Sequence, residues 1–240
     1  FFSELYGNPS SMHIFGAEAK PHIDAAREKV AALINADPSE IVFTSCGTES
    51  DNAAIRGVLA AYTDKKHIIT SRVEHPAVKN VCQHLGRRGY RISELSVDRS
   101  GQIDLDELRE KIDSDTALVS IMWANNETGV VFPVAEIAGV VKEAGSLFHC
   151  DAVQAAGKLP VDLSEVPIDL LSLSGHKLHA PKGCGVLYIR KGTRCEPFVL
   201  GGHQERGRRA GTENVPYIVG LGAACELDRK STRLNSSHYS

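Results

Sequence analysis

Apolar residues recur along this chain in two alternating rhythms. Between positions 17 and 34 they fall three and four apart (Ile23, Ala26, Val30, Leu33, Ile34), the spacing that lines them up on one face of a helix. Pro21 interrupts that stretch. Proline is tolerated best in a first turn, so the regular helix is expected to begin near it. A short unbroken apolar run at 41–44 then reads as a buried strand, and a helix opens around Cys46-Gly47-Thr48 and reaches Tyr62. The same unit repeats as strand 67–71 with helix 76–87, strand 91–97 with helix 105–112, and strand 117–123 with helix 134–144. Further strands are expected at 147–150, 170–173 and 185–189. Apolar strands alternating with amphipathic helices predict an α/β fold, a mostly parallel sheet covered by helices on both faces. No internal repeat, low-complexity tract or linker divides the chain, so residues 1–229 are expected to form one domain. From Lys230 the periodicity stops. The run Ser231-Thr232-Arg233-Leu234-Asn235-Ser236-Ser237-His238-Tyr239-Ser240 is similar to translated vector sequence, and 230–240 are expected to be foreign to the domain.

Composition narrows the class. The 240 residues are 42% hydrophobic and 24% charged with a net charge of −3, which fits a globular protein and argues against a nucleic-acid partner. No apolar run approaches the ~20 residues of a membrane span, and no secretory signal opens the chain. Six cysteines without C-x-x-C spacing suggest free thiols in a cytoplasmic protein, rather than disulfides or a zinc site. One local basic cluster, Arg206, Arg208 and Arg209, fits either a solvated loop or a small anionic partner.

Ligands of such sheets gather outside the carboxyl ends of the strands, so the strand exits are where chemistry is to be sought. Gly47-Thr48-Glu49-Ser50 follows a strand and opens a helix. Backbone N–H groups and a hydroxyl there can cradle a phosphate, although threonine at such a place is first of all a helix N-cap. Val73-Glu74-His75-Pro76 sets a histidine before a helix, where capping is the ordinary role. Asn125-Asn126-Glu127-Thr128-Gly129 reads as a turn or as a polar site. Asp151 ends an apolar strand and needs a cation or donors, unless it caps a helix. His149, Cys150 and Asp151 alternate between faces and cannot converge on one ion, so no metal site is expected. Finally Leu171-Ser172-Leu173-Ser174-Gly175-His176-Lys177, followed by Gly183-Cys184-Gly185, brings a lysine to a strand exit among small residues. A lysine amine adds to a carbonyl only when neutral, which calls for a partly desolvated setting. Lys177, Thr48 with Gly47, Asp151 and His75 match in type what pyridoxal 5'-phosphate (PLP) requires: an amine, a phosphate cradle, an acid for the ring nitrogen and a face for the ring.

Longer motifs carry a family resemblance. Phe43-Thr44-Ser45-Cys46-Gly47-Thr48-Glu49-Ser50-Asp51-Asn52, Glu74-His75-Pro76-Ala77-Val78, Ala124-Asn125-Asn126-Glu127-Thr128-Gly129, Asp151-Ala152-Val153-Gln154 and Ser174-Gly175-His176-Lys177 are among them. With Gly201-Gly202-His203-Gln204-Glu205-Arg206-Gly207-Arg208-Arg209-Ala210-Gly211-Thr212, they resemble the cysteine desulfurases of the NifS-like branch of the class V aminotransferases. The resemblance implies the large domain of fold type I PLP enzymes. It implies that Lys177 carries the cofactor and moves protons, that His75 stacks on the ring and assists, and that Asp151 keeps the ring nitrogen protonated. Gln154 would hydrogen-bond the phenolic oxygen, with Asn126 nearby. Gly47, Thr48, Ser174 and His176 would hold the phosphate, and Thr212 would reach the phosphate of the partner subunit in a homodimer. The implied substrate is L-cysteine, with sulfur passed as a persulfide to an acceptor scaffold protein for iron–sulfur cluster assembly. Two family features are absent from the chain, the segment preceding Phe1 and the C-terminal domain with its mobile cysteine loop and carboxylate-binding arginine. A fragment without the nucleophilic cysteine is therefore expected, and of the six cysteines Cys46 is nearest to the cradle in sequence. Selenocysteine lyase and a catalytically incomplete PLP-binding fragment are the alternatives.

Overall fold

The apolar runs assemble as one seven-stranded sheet. In the computed structural model, which describes residues 1–236 and side chains to residue 229, the strands are β1 (Ile41–Thr44), β2 (His67–Ser71), β3 (Arg91–Leu95) and β4 (Thr116–Ser120). They continue with β5 (Leu147–Asp151), β6 (Leu170–Ser174) and β7 (Gly185–Ile189). Their order is β1-β7-β6-β5-β4-β2-β3, parallel from β6 to β3, with β7 antiparallel to both of its neighbours. The edge strand β3 is shorter than its apolar pattern suggested. β4 also ends early, at Ser120, although the amides of Ile121 and Trp123 still bond the carbonyls of His149 and Asp151 (3.1 and 2.9 Å).

The helices are α1 (Ile14–Leu33), α2 (Gly47–Ala61), α3 (Pro76–Gly86), α4 (Leu105–Lys111), α5 (Val134–Glu143) and α6 (Val215–Ser236). α1 begins at Ile14, a turn and more before Pro21, against the expectation that proline marks its start. The reason is local: Pro21 and Ala17, whose carbonyl loses its helical partner, both sit on the exposed face. Of the segment expected to be foreign, residues 237–240 lie outside the described residues, as do the side chains from 230 on.

Period-two alternation divides the core. Val42, Ile68, Leu118, Leu170 and Leu187 pack under α2 and α3. Phe43, Ile69, Val119, Leu171 and Val186, each adjacent in its strand to one of those residues, pack against α1, α5 and α6. Towards the carboxyl ends the α2 face changes character. Ser120, His149, Asp151, Ser172 and Ser174 replace aliphatic residues there, and all five are buried. A polar floor is thus set into an apolar sheet at the end where ligands bind.

Candidate functional site

The floor belongs to a cavity at the carboxyl ends of β1, β4, β5 and β6, roofed on one side by the start of α2. Cys46 occupies the N-cap of α2 in extended conformation without a side-chain cap bond, so Thr48 is not the cap but the second helical residue. The first bond at this end runs from Ser50 N to the Cys46 carbonyl (3.1 Å), which leaves the preceding amides pointing free. The Thr48 hydroxyl likewise makes no hydrogen bond among the described residues and lines the cavity. Gly47 must be glycine, because a Cβ there would come within 2.9 Å of Val153 Cγ2 and 3.2 Å of Ser174 Cβ. A dipole end with unpaired N–H groups and a hydroxyl is an anion cradle.

Asp151 supplies a buried acid facing this cavity. No helix follows it, and its Oδ1 accepts from Val153 N (2.9 Å) in a turn. No ion pair holds it among the described residues. Burial raises its carboxyl above the usual range, eased by the Val153 N–H. Below it, His149 is wedged between the hydroxyls of Ser120 (2.8 Å from Nδ1) and Ser172 (3.0 Å from Nε2). Desolvation lowers that imidazole to about 3, so it is neutral. Glu74, from the loop before α3, is buried too. Its Oε1 accepts from Ser71 Oγ (2.6 Å) and Met122 N (3.0 Å), its Oε2 has no partner, and burial raises it to about 8.

Lys177 lies in a short 3-10 turn (Gly175–Leu178) directly after β6 and reaches the cavity without hydrogen bond or ion pair among the described residues. Gly175 allows the turn, since a Cβ would meet Cys184 Sγ at 2.6 Å. His176 Nδ1 and Ser174 Oγ share a hydrogen bond of 2.8 Å at the same rim. Three further side chains are oriented by their neighbours. His75 caps α3, its Nδ1 accepting from Ala77 N (3.1 Å), so the neutral ring carries its proton on Nε2. Lys158 Nζ donates to Gln154 Oε1 (2.8 Å), leaving the Gln154 amide hydrogens free to donate. Asn126 Nδ2 donates to Glu127 Oε1 (2.8 Å), leaving the Asn126 carbonyl free to accept.

Of the residues expected from sequence, Gly47, Thr48, His75, Asn126, Asp151, Gln154, Ser174, His176 and Lys177 line this one cavity. Thr212 does not. It is exposed and lines a separate depression with Arg209, Gly211 and Glu213. Asp51 and Met122 line the cavity unanticipated. Asp51 stands three residues after Thr48, hence on the same face of α2, which is the signal that could have found it. The guanidiniums of the basic cluster have partners within the fold. Arg206 and Arg208 donate to the Ser39 carbonyl (3.1 and 2.8 Å), and Arg209 to Glu49 (2.8 and 3.1 Å) at the start of α2.

All six cysteines are free. Burial pushes Cys82, Cys195 and Cys225 up to about 12 and Cys184 to about 11, and raises Cys150 as well. Cys46 alone among them lines the cavity, half-buried.

A lysine, an acid and an anion cradle around the carboxyl ends of a parallel sheet define a recognisable class, and the family model for aminotransferase class V matches residues 1–239. The chain belongs to that family. Within it, the chain is 59% identical over 242 aligned residues to a cysteine desulfurase of Nostoc sp. and 52% identical to the cysteine desulfurase NifS of Azotobacter vinelandii. Each alignment covers 98% of this chain and 60% of the relative, so the chain spans well under two thirds of those proteins. Among solved structures, a NifS-like protein superposes with a TM-score of 0.95 at 45% identity, covering 99% of this chain and 66% of that one. SspA in complex with cysteine superposes with a TM-score of 0.91 at 43% identity, covering 93% and 65%. No helix among the described residues is long and apolar enough to cross a membrane.

Proposed function

We propose that this chain is the PLP-binding domain of a cytoplasmic cysteine desulfurase that converts L-cysteine to L-alanine and passes the sulfur on as a persulfide for iron–sulfur cluster assembly. One observation carries the reading: nine residues of the expected set, drawn from separate strand exits, line a single cavity. The chemistry of the donors fits the cofactor. The cradle at α2 suits a dianionic phosphate, and the unpaired Lys177 amine suits an aldehyde. Asp151, buried and without a cation, suits a ring nitrogen that carries a proton.

Bound PLP supplies an aldehyde that captures amines and a ring that draws electrons from the substrate α-carbon. Around it, Thr48, Ser174, His176 and the α2 amides would hold the phosphate, and Gln154 would donate to the phenolic oxygen. Asp151 would hold the proton on the ring nitrogen. His75 would face the ring, Asn126 would orient ring or substrate, and Lys177 would bind the aldehyde and carry a proton at its Nζ to and from the substrate α-carbon. Sulfur leaves cysteine by attack of a thiolate, forming an S–S bond at the protein as the C–S bond breaks and the carbon keeps the electron pair that becomes alanine's C–H. Four of the six thiols are buried, Cys195 points away from the cavity, and Cys46 is fixed at a helix cap, so the attacking thiol is assigned to the part of the protein outside this chain.

The unit of function is a homodimer. Supporting this, Thr212 shares a depression with Phe2 and Tyr6, both exposed, an apolar area that a second copy would cover. Transfer to an acceptor scaffold protein belongs to the same reading. The test is reconstitution with PLP followed by borohydride reduction and peptide mass spectrometry. The reduced cofactor is expected on Lys177 and lost in Lys177→Ala; finding it on Lys158 or Lys182 overturns the assignment.

A further inference from the structure

The pocket floor buries more acid than the cofactor can use. Asp51 reaches it from α2 with 1% of its surface exposed, and its Oδ1 has no hydrogen-bond partner. His149 Nε2 stands 3.5 Å from that oxygen and already bonds Ser172 at 3.0 Å. His149 and Asp151 lie two residues apart on the same face of β5, and Asp51 and Asp151 line the same cavity, close enough for the charge of Asp151 to act on Asp51. The other groups facing Asp51 are Glu74 and Cys46, neither cationic, with His75, His176 and Lys177 towards the mouth of the cavity. Two carboxylates this close in a dry floor cannot both ionise, and an unpaired buried carboxylate is costly. The floor can offer one cation at most, the protonated ring nitrogen above Asp151.

We propose that Asp51 is a positioning residue for Asp151: an acid that keeps its proton while Asp151 is charged, so that the floor holds a single negative charge aimed at the ring nitrogen. This rests on the cofactor reading above. Burial, together with the charge of Asp151, drives Asp51 the same way, with the Ser172 hydroxyl offsetting part. The arrangement explains why an aspartate is compatible with a floor that has no room for a second charge. As an acid it can donate where its ionised form could only repel.

The experiment uses this chain reconstituted with PLP and labelled with carbon-13 at the aspartate side-chain carboxyls, which leaves Glu74 silent. One buried aspartate signal should sit at the position of the protonated acid, stay there through neutral pH, and vanish in Asp51→Asn. In that variant the visible absorption of the bound cofactor should titrate at the pH of the parent, whereas removing a true carboxylate so close would shift it by ~1–3 pH units. If Asp51→Asn does not fold, assignment through Asp151→Asn decides the same question. Two buried aspartate signals both at the carboxylate position, or a shifted titration in Asp51→Asn, would overturn the inference while leaving the cofactor reading intact. A chain that takes up no PLP and shows no visible band overturns both.

Discussion

Two regions of this molecule bury carboxyl groups, and they do so in opposite ways. In the arginine-rich loop, Glu205 is clamped by Arg27 through two bonds (2.7 and 2.8 Å) and accepts from Phe43 N (2.9 Å), while Arg27 also donates to the Ile41 carbonyl (2.8 Å) and stacks on Phe43. Every charge there has a partner. The clamp also holds Glu205 and Arg206 in left-handed backbone (φ 48° and 60°), a conformation that costs ordinary residues on the order of 1 kcal/mol each. In the pocket floor Asp51, Glu74 and Asp151 are as deeply buried, yet no guanidinium or ammonium pairs with them among the described residues. The difference teaches how to read a buried acid. Compensated, it fixes a loop; uncompensated, it marks a place where something else must bring the charge or the proton.

The comparison breaks most sharply at the clamp. Glu205→Ala strands Arg27 in the core and should cost ~3–5 kcal/mol of stability in urea denaturation. An effect below 1 kcal/mol, the range of surface pairs, would mean that the clamp is solvated and the contrast false. Asp151→Asn should behave in the reverse sense. It removes an uncompensated acid, so the chain without cofactor should lose no stability, while PLP affinity falls by about a hundredfold or more because the ring nitrogen loses its counter-charge. Equal loss of stability and affinity would place Asp151 with Glu205 as a structural residue.

The extent to which each region can be read from sequence follows the same division. β1, β2 and β7 have the bounds their apolar runs predict, because an unbroken four- or five-residue run closed by turn residues has few other ways to be buried. The cavity was legible for a related reason: strand exits concentrate ligands, and Asp151 ends one strand while Lys177 and Thr48 follow others within a few residues. Pro21 misled, since a sequence does not say which face of α1 meets water. Glu205 and Arg27 stand 178 residues apart, and nothing local to either predicts the other. Asp51 was hidden for a subtler reason. Periodicity places it on the buried face of α2, where a carboxyl is not expected without a partner, and only the assembled floor shows three such groups together.

The finest test of the contrast is the pH dependence of stability through Glu74. Its carboxyl is raised by burial from 4.5 to about 8, against the pull of the Ser71 hydroxyl and the Met122 amide. Between those values the folded chain holds a proton on Glu74 that the unfolded chain has released. The unfolded state then binds fewer protons, so stability falls as pH rises through this window and levels off above it, by no more than about 1.4 kcal/mol per pH unit. The stability from this neutral acid is thus fully present below pH 4.5 and is lost by about pH 8. Glu74→Gln keeps the shape and the two accepted bonds at its carbonyl but cannot ionise, so the difference in stability between parent and variant should slope in this window and nowhere else. Urea titrations of parent and variant without cofactor at half-unit steps would measure that difference. A flat difference for Glu74→Gln would mean that water or an ion reaches Oε2, and the floor would then be no drier than the clamp.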